Sequence, residues 1–407
     1  MSLDLLLGAN WFTSALFVGA GLLVGADFVA TLFTVVYKRY WYDRALRPRY
    51  RPEQTPRCSV VVPCKGVTRG FEQNIRAFLQ MDYPAYEVLF VVEDETDLSV
   101  PRIRDVIRGS DRARLVVAGL ATACAQKNHN LLAGVRGARD AEVYVFADAD
   151  IGPRPGWLRE LLLPLSDPRV IVTTGFRWLY AERPRLGGMV HNSINIFLYV
   201  LLSTASFVAE MGLWGGSMAL RKRDFDELDV AGLWGRTVVD DISLSSRVAA
   251  TGRSAIMVPA AVTCSDDLIQ SVRGGVRWFE RQIMFLKAYH HRTWLFGATP
   301  IALLGGALIA WLPVAALLSI SPHRSFLALG GAASVLFCGG EAVTAMLYPL
   351  IGQVRSPVRF AAMQPLMRTA HAVSLIRTVF TNAVTWSGVR YHLDRRGTVR
   401  RVERIAA

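Results

Sequence analysis

An α/β domain on a mostly parallel, doubly wound sheet, joined to transmembrane and interfacial helices, is the fold class this sequence predicts. Three observations predict it. Short apolar runs alternate with polar helical stretches between about residues 51 and 265; apolar stretches of membrane-spanning length stand on either side; and Lys and Arg crowd beside those stretches. The 407 residues are 52% hydrophobic with a formal net charge of +13. The mean hydropathy is +0.28, which predicts that part of the chain lies in lipid.

Taken in order, Phe12 to Tyr37 is long enough to cross a hydrocarbon core as a helix and carries one acid, Asp27. Asp4 is the only charge before it and the basic residues follow it, so it reads as an uncleaved anchor, not a signal peptide. Residues 1–50 are therefore expected to form an N-terminal transmembrane anchor with a basic juxtamembrane segment, "KRYWYDRALRPRYR", on the cytosolic side. A catalytic domain is expected over 51–265. Within it "CSVVVPCKG" reads as a buried strand, "FEQNIRAFLQMDYP" as an amphipathic helix stopped by Pro84, and "YEVLFVVEDETD", "RLVVAGL" and "VYVFADADIG" as three more strands. Strands alternating with helices imply a parallel sheet with ligands at the carboxyl ends of its strands.

"INIFLYVLLSTASFV" is strongly apolar but short for a span, which leaves a core helix or an interfacial element. "SVRGGVRWFERQIMFLKAY", within 266–294, mixes cations with apolar residues as a helix in the headgroup region would. Leu295 to Ile320 and Ser325 to Ile351 are candidate spans of a hairpin over 295–351, joined by "SPHR". Phe360 to Val389, with Arg368, His371 and Arg377, reads equally as a third late span or a surface helix, and 352–407 ends in the basic tail "RYHLDRRGTVRRVERIAA".

The positive charge sits beside the spans and in that tail, which favours a bilayer surface over nucleic acid, for which no motif is present. Five cysteines without a CxxC fit reduced, mostly buried thiols on the cytosolic side. The expected location is the bacterial inner membrane, with the N-terminus outside and the catalytic domain in the cytosol.

Acidic residues carry the candidate chemistry. Asp148 and Asp150, at the end of the fourth strand, are placed to share a divalent cation with a diphosphate, or to cap the next helix. Asp94 ends the second strand, as a third carboxylate on the same sheet edge or an Asx turn. Asp240 and Asp241, before "LSSRVAATG", are either helix-capping acids or a pair that raises its own proton affinity and so suits a general base. Lys127, in "QKNHN", offers a phosphate or base contact; His129 reads as a packed or solvated imidazole without a role. Arg277 and Trp278 are an interfacial cation and anchor, or else a cation for a departing diphosphate and an indole packed against an acceptor site. A carboxylate base, a metal on a diphosphate and a site at the bilayer together describe glycosyl transfer.

In "VVPCKGV", "FLQMDYPAYEVLFVVEDETD", "QKNHN", "FADAD", "WGGSMALRKRDF", "VVDDISLSSRVAATG", "GVRW" and "TWSGVRYHL" the chain resembles family-two glycosyltransferases of GT-A fold, most closely the ceramide glucosyltransferase branch. The resemblance implies that Asp94 contacts the nucleotide base, Asp148 the donor, and Asp150, with Asp148, the metal. It implies that Asp241 is the general base with Asp240 in the acidic position before it, that Lys65 and Lys127 join the nucleotide-sugar contacts, and that Arg277 and Trp278 close the (Q/R)xxRW motif. Gly274 stands at the first position of that motif, which argues against long-chain processive synthesis. The implied reaction is an inverting transfer from a UDP-sugar to a lipid hydroxyl, with Mn²⁺ or Mg²⁺ as cofactor. A polysaccharide or polyprenyl-phosphate sugar synthase, and a non-enzymatic nucleotide-binding membrane module, are the alternatives.

Overall fold

The computed structural model describes residues 3–51, 55–180, 184–208, 212–265, 267–318, 324–352 and 356–405. Seven strands form one sheet: β1 (Cys58–Pro63), β2 (Tyr86–Val92), β3 (Ala113–Val117), β4 (Val143–Ala147), β5 (Val170–Leu179), β6 (Ser217–Arg221) and β7 (Ser254–Ser265). Their order is β3-β2-β1-β4-β6-β5-β7, and only β6 runs antiparallel to its neighbours. Every residue of β4 is buried, which is why that strand reads as a continuous apolar run and not an alternating one.

Helices cover both faces. On one, α2 (Phe71–Leu79), α3 (Ser99–Ile107) and, beyond α4 (Gln126–Gly137), α5 (Trp157–Leu162) bring Ile75, Phe78, Ile103 and Trp157 against Val60, Val88 and Phe90. On the other lies α4 itself. Further along the chain α6 (Leu186–Val208), α7 (Lys222–Glu227), α8 (Val230–Trp234) and α9 (Asp241–Ala250) follow. Leu131, Phe225, Trp234 and Leu244, from α4, α7, α8 and α9, pack against Val61, Leu89 and Phe146. The predicted doubly wound core is present. One boundary differs: α2 ends at Leu79, before Pro84, because Met81 and Tyr83 turn into the core and Asp82 N donates to Pro155 O at 2.7 Å.

The N-terminal helix α1 (Leu3–Val36) runs on through a π-helical stretch, Tyr37–Leu46. After β7 come α10 (Val272–Tyr289), the single turn α11 (His291–Thr293), α12 (Thr299–Leu318), α13 (Arg324–Ala345), α14 (Tyr348–Ile351) and α15 (Pro357–Val379). Among the described residues, four segments are long and apolar enough to cross a membrane: Thr13–Arg49, Leu186–Thr204, His291–Trp311 and Gly330–Ile351. Ser321, Pro322 and His323 of the expected linker lie outside the described residues. The Leu186–Thr204 segment belongs to α6, and two-thirds of it is buried: Ile196, Tyr199 and Val200 pack on Phe176, Trp178 and Met257 of the sheet. It is a core helix between the sheet and the other helices.

Three expectations change at the C-terminal end. The α10 helix does not lay its apolar side on a surface, because Trp278, Phe279 and Ile283 are buried against Val190 and Ile194 of α6 and Met367 and Leu375 of α15. Phe360 to Val389 is neither a span nor a surface helix throughout: α15 ends at Val379 and a strand follows. Within α15, Arg368 is buried and holds Glu341 of α13 at 2.9 Å and Asp27 of α1, tying three helices together. The basic tail is folded, as an antiparallel sheet of β8 (Ala383–Trp386), β9 (Val389–Leu393) and β10 (Val399–Arg404). Val389, Tyr391 and Leu393 alternate inward, and Ser387 and Gly388, at φ 50° and 77°, make the two-residue turn that joins β8 to β9. Cys264, unlike most of the cysteines, is exposed.

Candidate active site

Parallel strands deliver their chain ends to one edge of the sheet, and that edge carries the acids. Asp148 follows the last residue of β4, and its N–H donates to Gly216 O at 3.1 Å. A cavity there is lined by Lys65 after β1, Lys127 and Asn130 of α4, Asp148, Asp150 and, from the C-terminal sheet, Trp386, Ser387, Val389 and Tyr391.

Lys127 is the hub. Its Nζ stands 2.9 Å from Asp148 and 3.2 Å from Asp240, and the lysine is mostly buried. Its neighbours in "QKNHN" fix it. Gln126 donates to Gly119 O and Asn130 Oδ1, Asn128 donates to Thr237 O and Oγ1, and His129 Nε2 is hydrogen-bonded to Ala118 O at 3.0 Å, the packed one of its two expected settings. Burial by itself penalises the charges of Lys127 and Asp148. The surrounding opposite charges together outweigh it: Asp148, Asp240 and Asp241 act on Lys127, and Lys127, Arg177 and Arg281 act on Asp148. The Lys127 ammonium is therefore held above its usual value and the Asp148 carboxyl below.

Asp240 and Asp241 open α9. The side chain of Asp240 makes no capping hydrogen bond, so the capping reading does not describe it; it faces Lys127 instead. Asp241 accepts from Gly215 N at 2.8 Å and Ile242 N at 2.6 Å. Burial first, and the neighbouring Asp240 second, push its carboxyl up to about 7. Burial also raises Asp240. A carboxyl near 7 is matched to accepting a proton at neutral pH.

Gly215 and Gly216 make this closeness possible. A Cβ on Gly216 would come 2.5 Å from Asp148 Oδ2, and one on Gly215 would collide with the Asp240 carboxylate. The loop before β6 is thus packed directly on two acids, a role for "WGG" that the sequence reading left unassigned.

Asp150 pairs with the buried Arg177 of β5, while its Oδ1 is buried without a hydrogen-bond partner. Among the described residues no three His, Cys, Asp or Glu side chains cluster as a metal site. The unpartnered Asp150 Oδ1, on the same cavity as Asp148, fits a cation held by carboxylates with the rest of its shell supplied by phosphate oxygens, the usual habit of Mg²⁺ and Mn²⁺ sites on nucleotides.

Of the anticipated residues, Lys65, Lys127, Asp148 and Asp150 line one cavity, and Asp240 and Asp241 join it through Lys127 and Gly215. Trp278 is buried with its ring 4.7 Å from that of His191. Asp94 is exposed and folds onto Thr96 N and Oγ1 at 2.8 and 2.7 Å, the Asx-turn arrangement. Arg277 is exposed and outside the cavity lining. Sequence reasoning missed Arg177, Arg281 and the hairpin that bears Trp386. The Ser-Gly pair amid alternating residues signals that hairpin.

The parallel sheet, the acids on its edge and the apolar helices define a glycosyltransferase of GT-A fold. The chain belongs to glycosyl transferase family 21, whose model matches residues 26–399. Ceramide glucosyltransferase 1 of Caenorhabditis elegans is 28% identical over 160 residues, 38% of this chain. The match spans 34% of that relative's length, about a third of it. Among solved structures, a mannosyltransferase of Pyrobaculum calidifontis in complex with GDP-Man and Mn²⁺ superposes with a TM-score of 0.54 at 23% identity, covering 86% of this chain and 99% of that one. The ceramide glucosyltransferase branch expected from the motifs is the one matched.

Proposed function

We propose that this glycosyltransferase moves a sugar from a UDP-sugar to the hydroxyl of a membrane lipid, ceramide-like or otherwise, in a single inverting displacement. The observation that carries the reading is the Asp148–Lys127–Asp240 chain with Asp241 beside it: a raised, amide-oriented carboxyl lies next to an acidic pair suited to a metal diphosphate.

In this reading Asp241 accepts the proton of the attacking hydroxyl late, as the new bond forms. Asp148 and Asp150 hold the divalent cation, Mn²⁺ or Mg²⁺, which when bound stabilises negative charge on the leaving diphosphate. Lys127 favours the ionised form of Asp148 and opposes the rise that burial imposes on Asp240. Lys65 and Asp94 belong to the nucleotide side, and Trp278, within the apolar cluster of α6, α10 and α15, to the acceptor side. The helices of spanning length support an integral membrane protein. The basic juxtamembrane segment supports a cytosolic site in a bacterial inner membrane, N-terminus outside.

The test is transfer by detergent-purified protein from a panel of UDP-sugars to mixed lipid extract, with and without Mn²⁺, beside Asp241→Asn. Metal-dependent labelling of one lipid, lost in the variant, supports the reading. Label in polymer or polyprenyl phosphate redirects it to a synthase, and nucleotide binding with no product from any acceptor overturns it.

A further inference from the structure

Helix α10 carries Arg273, Arg277 and Arg281 at four-residue spacing, so the three lie along one side of it. The first two are exposed, and the third turns inward. The Arg281 guanidinium lies 5.1 Å from the centroid of the Trp386 ring, and its Nε is buried without a hydrogen-bond partner. Among the described residues no carboxylate is ion-paired with it. Its electrostatic neighbours are Arg177, which repels it, and Asp148, which attracts it; burial, more than either, pulls its guanidinium down to about 10.

That arrangement is costly for the protein alone. A buried guanidinium ordinarily takes a carboxylate partner, as Arg177 takes Asp150. Here Lys127 already pairs with Asp148 and Asp240, and Arg177 with Asp150, while Arg281 has no such acid among the described residues. A divalent cation on Asp148 and Asp150 would add positive charge to the same acids and leave Arg281 still without one. The missing partner is an anion with several oxygens that arrives with the metal. Trp386 lines the cavity and also backs the guanidinium, so one indole touches both.

We propose that Arg281, and not the exposed Arg277, is the side chain that pairs with the diphosphate of a bound nucleotide, and that Trp386 on the β8–β9 hairpin is the platform that holds it there. This rests on the nucleotide-sugar reading above. It gives the C-terminal hairpin a function in donor binding.

The experiment is Mn²⁺-dependent binding of UDP, UMP and uridine to the full-length protein in detergent, with GDP and ADP as further diphosphates, for wild type, Arg281→Gln, Arg281→Lys, Arg277→Gln and Trp386→Leu. The UDP-to-UMP affinity ratio isolates the diphosphate contribution. The expected result is a ratio reduced about tenfold or more in Arg281→Gln, as for a lost charge-assisted hydrogen bond, partly kept in Arg281→Lys, reduced in Trp386→Leu and unchanged in Arg277→Gln. Without nucleotide the Tm of Arg281→Gln is expected to equal or exceed that of wild type; a merely structural arginine would lower it. An unchanged ratio in Arg281→Gln, or a drop confined to Arg277→Gln, overturns the proposal and leaves the transferase reading standing. If no nucleoside diphosphate binds the wild type more tightly than its monophosphate, both fall together.

Discussion

Asp241 receives the Gly215 amide at 2.8 Å, and that bond fixes one oxygen of the carboxylate while burial and Asp240 raise its proton affinity. The residue is both oriented and poised. Orientation comes from the turn before β6 and poise from the neighbouring acid, so a change at either place acts on the same proton.

The pH dependence follows from the sign of the shift. A base must be ionised to act, and Asp241 is protonated below about 7. The kcat/KM for transfer is therefore expected to fall about tenfold per pH unit on the acid side of neutrality and to level off above it. A profile flat down to pH 5 would remove Asp241 from the role. Asp241→Asn is expected to lower kcat by roughly 10²–10⁴ with little change in nucleotide affinity.

Lys127→Met leaves Asp148 and Asp240 facing each other without their shared cation. The expected loss of stability is about 3–5 kcal/mol, read as a lower Tm in detergent. Added Mn²⁺ is expected to recover part of that loss, since it supplies positive charge to the same acids. Full stability without metal would contradict the hub role of this lysine.

Gly216→Ala places a methyl group 2.5 Å from Asp148 Oδ2, whereas Gly156 has open space around it. Overpacking of this kind costs about 1–3 kcal/mol. It is expected to weaken Mn²⁺-dependent nucleotide binding at least several-fold in Gly216→Ala, with Gly156→Ala as the unaffected control in the same titration.

Arg368→Met removes the cation held between Asp27 and Glu341 and leaves the buried Glu341 and the partly buried Asp27 without it. The expected cost is about 3–5 kcal/mol. A triple change that also replaces Asp27 by Asn and Glu341 by Gln should restore much of it. Tm values in one detergent compare the two, and equal losses in both would show that the ion cluster is not what ties the helices.

Four of the seven strands were legible, β1, β2 and β4 because they are buried on both faces, while β5, β6 and β7 were not read from the sequence. Runs such as "VYVFA" admit little else, and the acids after them mark their chain ends. Asp148, Asp150, Asp240 and Asp241 were legible for the same reason, since carboxylates at the mouth of an apolar core need a partner. Arg177 was not, because it sits inside a strand and its role depends on Asp150 lying opposite. The C-terminal sheet was hidden by composition. Its outward residues are so rich in arginine that the tail reads as a bilayer-binding segment, although Val389, Tyr391 and Leu393 alternate as a strand does. Arg277 and Arg281 lie one helical turn apart, and sequence alone does not say which of them turns inward; the packing of α10 on α6 and α15 decides it.

The most direct test of the central claim is the anomeric configuration of the product, read by proton NMR of the purified glycolipid made from an α-linked UDP-sugar. Direct attack by a hydroxyl whose proton goes to Asp241 predicts a β-linked sugar. An α-linked product would contradict the single displacement, because retention requires a second displacement or a front-face path in which Asp241 has no place as base.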